Sequence, residues 1–374
     1  MIQKINTLDY LNHPTTISCV YIVRNEEKHI ISSIKSVNSL VDEIIIVDTG
    51  STDDTLTKIQ ELKNSKIKVF HFTWCDDFSK ARNYAISKAT STWLLILDAD
   101  EIIEENTILK FLLTYLISID DFNDTVFNLN VIRGEDSYKT GKVVKNSSNL
   151  KYKGRVHETF YSENQEVSYA NIKLNIFGIK RVSQKKIEYY NSLLLETMKD
   201  YPYDSRWGYL FLRDNFKNLS FQQMLSYSKQ AIINDENDIS ESNYIWNYYS
   251  VKILLLLMYK TLETDDDETF LYLLKIIESK CYSLEDVIYL KYCYEIKKYL
   301  EYGSFKLAQF LNDFVNSDDS DNIFSKNAKH SLLATFLFLG GFPEKSKNIF
   351  NELNKKDNDI TYFLNKNFID DWLK

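Results

Sequence analysis

Apolar residues follow two different rhythms along this chain. Between residues 17 and 97, short continuous apolar runs alternate with stretches in which apolar positions recur every three or four residues. The runs Ile17–Val23, Glu43–Val47, Lys66–Phe72 and Trp93–Leu97 have the length and β-branched content of buried strands. Between them, Ile30, Ile34, Val37 and Leu40 carry helical spacing, and helices are predicted over about Thr52–Leu62 and Phe78–Ala89. Ser51 or Thr52 would cap the helix over Thr52–Leu62, with Asp53-Asp54 near its positive end. Such alternation predicts an α/β fold whose mainly parallel sheet is covered on both faces. Ligands on such sheets gather at the carboxyl ends of the strands. The polar clusters Asn25-Glu26, Asp48 and Asp98–Asp100 all fall there.

Thr125–Arg133 and Ile172–Ile176 read as further strands, separated by the polar, aromatic segment Tyr152–Phe160. From about Ser183 the period becomes helical and stays so. Patterns run through Phe221–Ile233, Tyr244–Tyr259, Phe270–Ile277, Leu284–Leu300, Phe305–Val315, Ser325–Leu339 and Glu344–Leu353, with acidic breaks at Asp265–Asp267 and Asp318–Asp321. The chain is therefore expected to hold an α/β domain over residues 1–182, opened by a loose leader over 1–14, and an all-helical domain over 183–374. Trp207–Ala231 and Leu332–Leu353 are similar to tetratricopeptide helix pairs; an irregular helical bundle is the alternative.

Composition sharpens this picture. Only 9 Gly and 3 Pro occur in 374 residues, which favours long helices in the second half. Hydrophobic residues make up 44%, enough for ordinary cores. A net charge of −8 argues against a nucleic-acid partner, because phosphate contacts need clustered Lys and Arg. The cysteines Cys19, Cys75, Cys281 and Cys293 form no C-x-x-C pair, so no zinc or redox motif is present. No basic segment followed by an apolar one opens the sequence, and the longest apolar run, Ile253–Met258, is far too short to span a bilayer. A soluble cytoplasmic protein is expected.

Asp98-Ala99-Asp100 is the sharpest chemical feature. Two carboxylates flank one small residue directly after an apolar strand. Hard oxygen ligands of this kind suit a divalent ion that neutralises a diphosphate; the alternative is a solvated helix cap with Glu101. Asp48 could accept a hydrogen bond from a nucleobase N–H. Asp53 could touch a nucleotide or cap a helix. Arg82, beside Asn83, could bind pyrophosphate through its forked geometry or pair with the carboxylate rim. In Tyr152–Glu158, His157 could be a third metal ligand or a structural histidine. Glu158 could be a general base, with Gly154 allowing the loop to approach a ligand.

Together the blocks Cys19–Glu27 (CVYIVRNEE), Glu43–Thr55 (EIIIVDTGSTDDT), Phe78–Ala85 (FSKARNYA), Trp93–Glu101 (WLLILDADE) and Gly154–Glu158 (GRVHE) resemble family 2 glycosyltransferases of the GT-A fold, a Rossmann-like architecture. The resemblance implies inverting transfer of a hexose from a UDP-sugar, assisted by Mg²⁺ or Mn²⁺. It assigns the nucleotide sugar to Val23, Asn25, Glu26, Asp48, Arg82, Asp98 and Ala99, with uracil on Asp48. It places Asp98 near the ribose and the metal, Asp100 on the metal and Glu158 as a candidate base; with His157 as the third candidate ligand, the expected metal set is Asp98, Asp100 and His157. Within the family the chain resembles the glycocin (sublancin-type) S-glycosyltransferases, which implies UDP-glucose as donor and a cysteine or serine of a bacteriocin precursor peptide as acceptor. Related domains with helical tails glycosylate cell-surface polysaccharides or lipid-linked sugars, which is the alternative function; a scaffold carrying a degenerate transferase domain is the non-enzyme reading. The helical tail would bind the peptide, form a homodimer or brace the catalytic domain.

Overall fold

A computed structural model describes residues 15–103, 109, 112–113, 122–163, 166–179, 184–233, 245–264, 266–281, 284–299, 310–311, 313, 326–340 and 342–353. The chain divides into two compact units, Met1–Thr197 and Met198–Lys374.

The first unit is built on β1 (Ile17–Val23), β2 (Glu43–Asp48), β3 (Ile67–His71), β4 (Trp93–Ile96), β5 (Ile102–Ile103), β6 (Thr125–Arg133), β7 (Asp136–Lys145) and β10 (Ser168–Phe177), in the order β3-β2-β1-β4-β7-β6-β10-β5. A separate ribbon pairs β8 (Lys151–Lys153) with β9 (Thr159–Tyr161). Its helices are α1 (Ile30–Val37), α2 (Thr55–Glu61), α3 (Phe78–Ile86) and α4 (Gln184–Asp200). Strands β1 to β4 are mutually parallel, β7 opposes both β4 and β6, and β10 lies parallel to β6. The expected mainly parallel α/β sheet is what forms.

Strand side chains alternate between faces, and the burial follows that period. Cys19, Tyr21, Val23, Ile44, Ile46, Trp93 and Leu95 point to one core with Ile30, Ile34 and Val37 of α1. Val20, Ile45, Val47, Leu94 and Ile96 point to the other, with Ala85 of α3 and Tyr152 and Phe160 of the ribbon. Both faces are covered, which is why these strands read as continuous apolar runs. Strand β3, at the sheet edge, is only partly buried.

Three local features differ from the sequence reading. Strand β7 was not expected, because its first half is polar and exposed. It forms through a two-residue turn, Gly134-Glu135, with Gly134 at φ 67°, a conformation suited to hairpin turns. The segment around Tyr152–Phe160 is not all loop; it is the ribbon β8–β9. Helix α2 starts at Thr55, because Ser51 and Thr52 are engaged elsewhere: Ser51 Oγ accepts from Asn25 N at 3.0 Å, and Thr52 N donates to Asn25 Oδ1 at 2.7 Å. Asp53 instead accepts from Thr55 N at 3.0 Å and from Glu27 N at 3.2 Å, tying the helix start to the loop after β1.

The second unit is helical: α5 (Ser205–Asn215), α6 (Phe221–Ile232), α7 (Tyr248–Glu263), α8 (Asp267–Cys281), α9 (Glu285–Tyr299), α10 (Lys326–Leu339) and α11 (Pro343–Leu353). Capping boxes at Ser220/Gln223 and Asn247/Ser250 start α6 and α7. Both tetratricopeptide-like stretches form helix pairs. In α5–α6 the backbones approach so closely that a Cβ on Gly208 would meet the Ala231 Cβ at 2.5 Å. In α10–α11 the core is Ala334, Phe350 and Leu353, and Gly340 N closes the turn on Phe336 O at 2.8 Å. The leader 1–14, most of the expected helix Phe305–Val315 and the acidic break 318–321 lie outside the described residues. No helix among the described residues is long and apolar enough to cross a membrane.

Candidate active site

Strand register levels the polar clusters. Val23 pairs with Asp48 and Val20 with Ile96, so Asp98, two residues further on, comes level with Ile22. A cavity of about 550 Å³ opens at this rim. Val23, Glu26, Arg82, Asp98, Ala99, Asp100, His157 and Glu158, all singled out from the sequence, line it.

Asn25 and Asp48 stand behind the lining. Asn25 has φ 55° and uses its side-chain carbonyl on Thr52 N, so it fastens the loop after β1 to the loop after β2. Asp48 is 4% exposed and accepts from Gly50 N and Ser51 N, both at 3.1 Å, with His71 Nδ1 at 3.6 Å. Gly50, at φ 106°, supplies the turn that brings these amides back.

The FSKARNYA block works as a positioning device. Asp77 caps α3, accepting from Lys80 N at 3.0 Å and Ser79 Oγ at 2.6 Å. Asn83 then grips the Tyr152 backbone twice, N–H and carbonyl both at 2.8 Å, which fixes the ribbon against α3. Arg82, one residue earlier, is aimed into the cavity. Its Nη2 donates to Asp98 Oδ1 at 2.8 Å and its Nε donates to Glu158 Oε1. The Gly154–Glu158 loop is tied down by Phe78 N on Arg155 O at 2.8 Å and Arg155 N on Thr197 Oγ1 at 3.1 Å. Within it Gly154 has φ 95°, a state open to glycine, and His157 has φ 51°, which the surrounding structure must hold.

Asp98 is the electrostatic centre. Its side chain is 36% exposed, on the cavity side. Burial opposes its ionisation, but Lys142 at 3.8 Å and Arg82 outweigh that and hold its carboxyl well below the usual range. Behind it Glu101, 1% exposed, accepts from Lys142 Nζ at 2.6 Å and Arg133 Nη2 at 3.0 Å, and its other contact is Asp98 N at 2.9 Å. Burial and the Asp98 charge push Glu101 upward, with Lys142 pulling against them. Lys142 is held protonated by both carboxylates against its own burial. Sequence reading missed Arg133 and Lys142. They sit on β6 and β7, 33 to 44 positions from the aspartates, and only sheet pairing brings them to the rim.

The opposite wall is aromatic. Trp74 packs edge-on against Phe78 at 4.8 Å, and Phe78 against Tyr190 at 5.8 Å. Trp74 Nε1 donates to Tyr189 Oη at 2.9 Å, and Tyr189 Oη donates to Asp76 Oδ1 at 2.6 Å, fixing both rings. Burial, together with the Glu158 and Asp98 charges, pushes Tyr190 up to about 12, so it stays neutral.

Asp98 and Asp100 offer hard oxygens of the kind a divalent ion takes. As placed, they do not fit a bound ion. Arg133 Nη2 lies 3.4 Å from Asp98 Oδ2 and Nη1 lies 3.3 Å from Asp100 Oδ2. No group of three His, Cys, Asp or Glu side chains converges on an ion among the described residues, His157 included.

Residues 18–170 match the family model for glycosyl transferase family 2. A TPR repeat-containing protein of Synechococcus elongatus is 46% identical over 85 residues, covering 23% of this chain and 20% of that one. The SPbeta prophage-derived glycosyltransferase SunS of Bacillus subtilis is 28% identical over 234 residues, 59% of this chain and 54% of that one. An Escherichia coli protein, UDP-Glc:alpha-D-GlcNAc-diphosphoundecaprenol beta-1,3-glucosyltransferase WfaP, is 39% identical over 59 residues, 16% of this chain and 24% of that one. The chain thus spans about half the length of SunS and a quarter or less of the other two. The segment 18–170, which carries the Asp98–Asp100 rim, Arg82, Arg133 and Glu158, is a glycosyl transferase family 2 domain.

Proposed function

We propose that this chain transfers a hexose, glucose first among candidates, from a UDP-sugar to a cysteine or serine side chain of a bacteriocin precursor peptide. The observation that carries the reading is Arg82, which joins Asp98 and Glu158 across one cavity at the carboxyl ends of the strands. The family match and the similarity to SunS support the reaction class. The motif resemblance to the glycocin enzymes supports the peptide acceptor.

In the proposed reaction the acceptor sulfur or oxygen attacks the anomeric carbon from the face opposite UDP. The new bond to carbon forms as the carbon–oxygen bond to the diphosphate breaks, and UDP leaves with the electron pair. Glu158 takes the acceptor proton. Arg82 faces the charge that develops on the diphosphate oxygens, where a fixed donor in a partly dry cavity is most effective, and Arg133 adds its positive charge beside it. A thiol, with a pKa of about 8.5, needs less help from a base than a hydroxyl does.

The test is UDP release from UDP-glucose together with the mass gain of a synthetic precursor peptide containing one cysteine. Arg82→Met is expected to lower kcat/KM by at least about 100-fold, a loss typical of removing a fixed electrostatic donor, and Asp98→Asn, which takes away the carboxylate that anchors Arg82, is expected to lower it in the same direction. Wild-type rates in both variants would refute the reading. A second acceptor, a lipid-linked sugar, is favoured by the short WfaP similarity; transfer to that acceptor and not to peptide would select it.

A further inference from the structure

Arg133 ends β6, and its guanidinium sits in a built socket. Nε donates to Tyr138 Oη at 3.0 Å, Nη1 to Asp100 Oδ2 at 3.3 Å and Ile179 O at 2.8 Å, and Nη2 to Asp98 Oδ2 at 3.4 Å and Glu101 Oε1 at 3.0 Å. Each N–H of the fork has an acceptor, an arrangement that only a planar, five-donor cation can fill. The backbone makes room for it: a Cβ on Gly178 would lie 2.9 Å from the Arg133 Cζ and 3.0 Å from its Nε. The side chain is 19% exposed, toward the cavity.

We propose that Arg133 is the resident cation of the Asp98–Asp100 pair and competes with a divalent ion for those two carboxylates. A hard divalent ion takes six or more oxygen ligands in near-regular geometry. Here the third carboxylate of the cluster, Glu101, is committed to Lys142 at 2.6 Å and buried behind the rim. The cavity lining carries four cationic side chains, Arg24, Arg82, Arg133 and Lys186, against Glu26, Asp98, Asp100 and Glu158. Its formal charge is balanced, so no net negative field draws a metal in and none repels a diphosphate. A divalent ion reaches the pair only by displacing the guanidinium from its charge-assisted hydrogen bonds.

The experiment is a manganese(II) titration of the full chain without nucleotide, following the free-ion electron paramagnetic resonance signal. No sugar donor enters it, so its outcome is separate from that of the transferase assay. Arg133→Met, which keeps the length and removes the charge, is expected to bind Mn²⁺ at least about tenfold more tightly than wild type, equivalent to ~1.4 kcal/mol. Adding Asp100→Asn should abolish that gain. Gly178→Ala keeps the charge but pushes the guanidinium out of its socket, and should tighten Mn²⁺ binding in the same direction; it serves if Arg133→Met does not fold. The proposal is overturned if wild type binds Mn²⁺ as tightly as the folded variants, or if none of them binds it.

Discussion

Lys142→Met offers the cleanest test of the electrostatics behind the rim. Lys142 and Glu101 are 7% and 1% exposed at the side chain and 2.6 Å apart, so the substitution strands a carboxylate in the interior. Breaking a buried pair on one side typically costs about 3–5 kcal/mol. Glu101 keeps Arg133 at 3.0 Å and Asp98 N at 2.9 Å, which places the expected loss near the lower bound, about 3 kcal/mol. Glu101→Gln in the Lys142→Met background removes the stranded charge and should restore about 1.5 kcal/mol or more relative to additivity. The sign of the pH dependence follows from burial. Without Lys142 the folded-state pKa of Glu101 rises further above its unfolded value. The deficit is then present above the unfolded value of about 4.3 and relieved as acid protonates the group. The assay is hydrogen exchange of the β4 and β7 peptides between pH 5 and 8, with opening free energies compared across the four-member cycle. A Lys142→Met loss under about 1 kcal/mol, or strict additivity in the cycle, would refute the view of this pair as a coupled buried unit.

Three further outcomes are expected. Glu43, 5% exposed, accepts from Ser18 Oγ, Lys68 Nζ and Thr90 N; against its burial these partners hold its pKa below the usual value. Its contribution is therefore present above the unfolded value of about 4.3 and lost as pH falls through the folded one. Glu43→Gln should flatten the acid limb of a Tm-against-pH profile, and an unchanged limb contradicts the assignment. Gly208→Ala should destabilise the helical unit by about 1–3 kcal/mol through contact with Ala231, and Ala231→Gly should relieve it, read by thermal unfolding of the single and double variants. Glu158→Gln should reduce transfer to a serine acceptor more than to a cysteine acceptor, because the thiol has less need of a base; equal losses in parallel kcat measurements would count against Glu158 as the proton acceptor.

Much of the first unit was legible because its strands are buried on both faces. Mostly apolar strands of four to seven residues, punctuated by helical periods, leave few alternatives. Strand β7 was not legible, since Gly141-Lys142 and a polar first half break the pattern; its place is decided by β6 beside it and β4 beyond. The cap at Ser51-Thr52 was misread for a related reason. Both residues have the chemistry of helix caps, but Asn25, reached from another strand, takes them first.

The sequence by itself determined the alternation of strands and helices, the switch to an all-helical second half, and the rim on which Asn25, Asp48 and Asp98–Asp100 stand. Those follow from local periodicity and from strand ends, which every residue reports about its own neighbourhood. Tertiary structure alone decided what the rim residues do to one another: that Arg82 joins Asp98 to Glu158, that Asp48 turns into its own loop, and that Arg133 and Lys142 arrive from β6 and β7 to neutralise the carboxylates. The physical reason is that charge pairing acts through space over a few ångströms, while sequence patterns record only spacing along the chain.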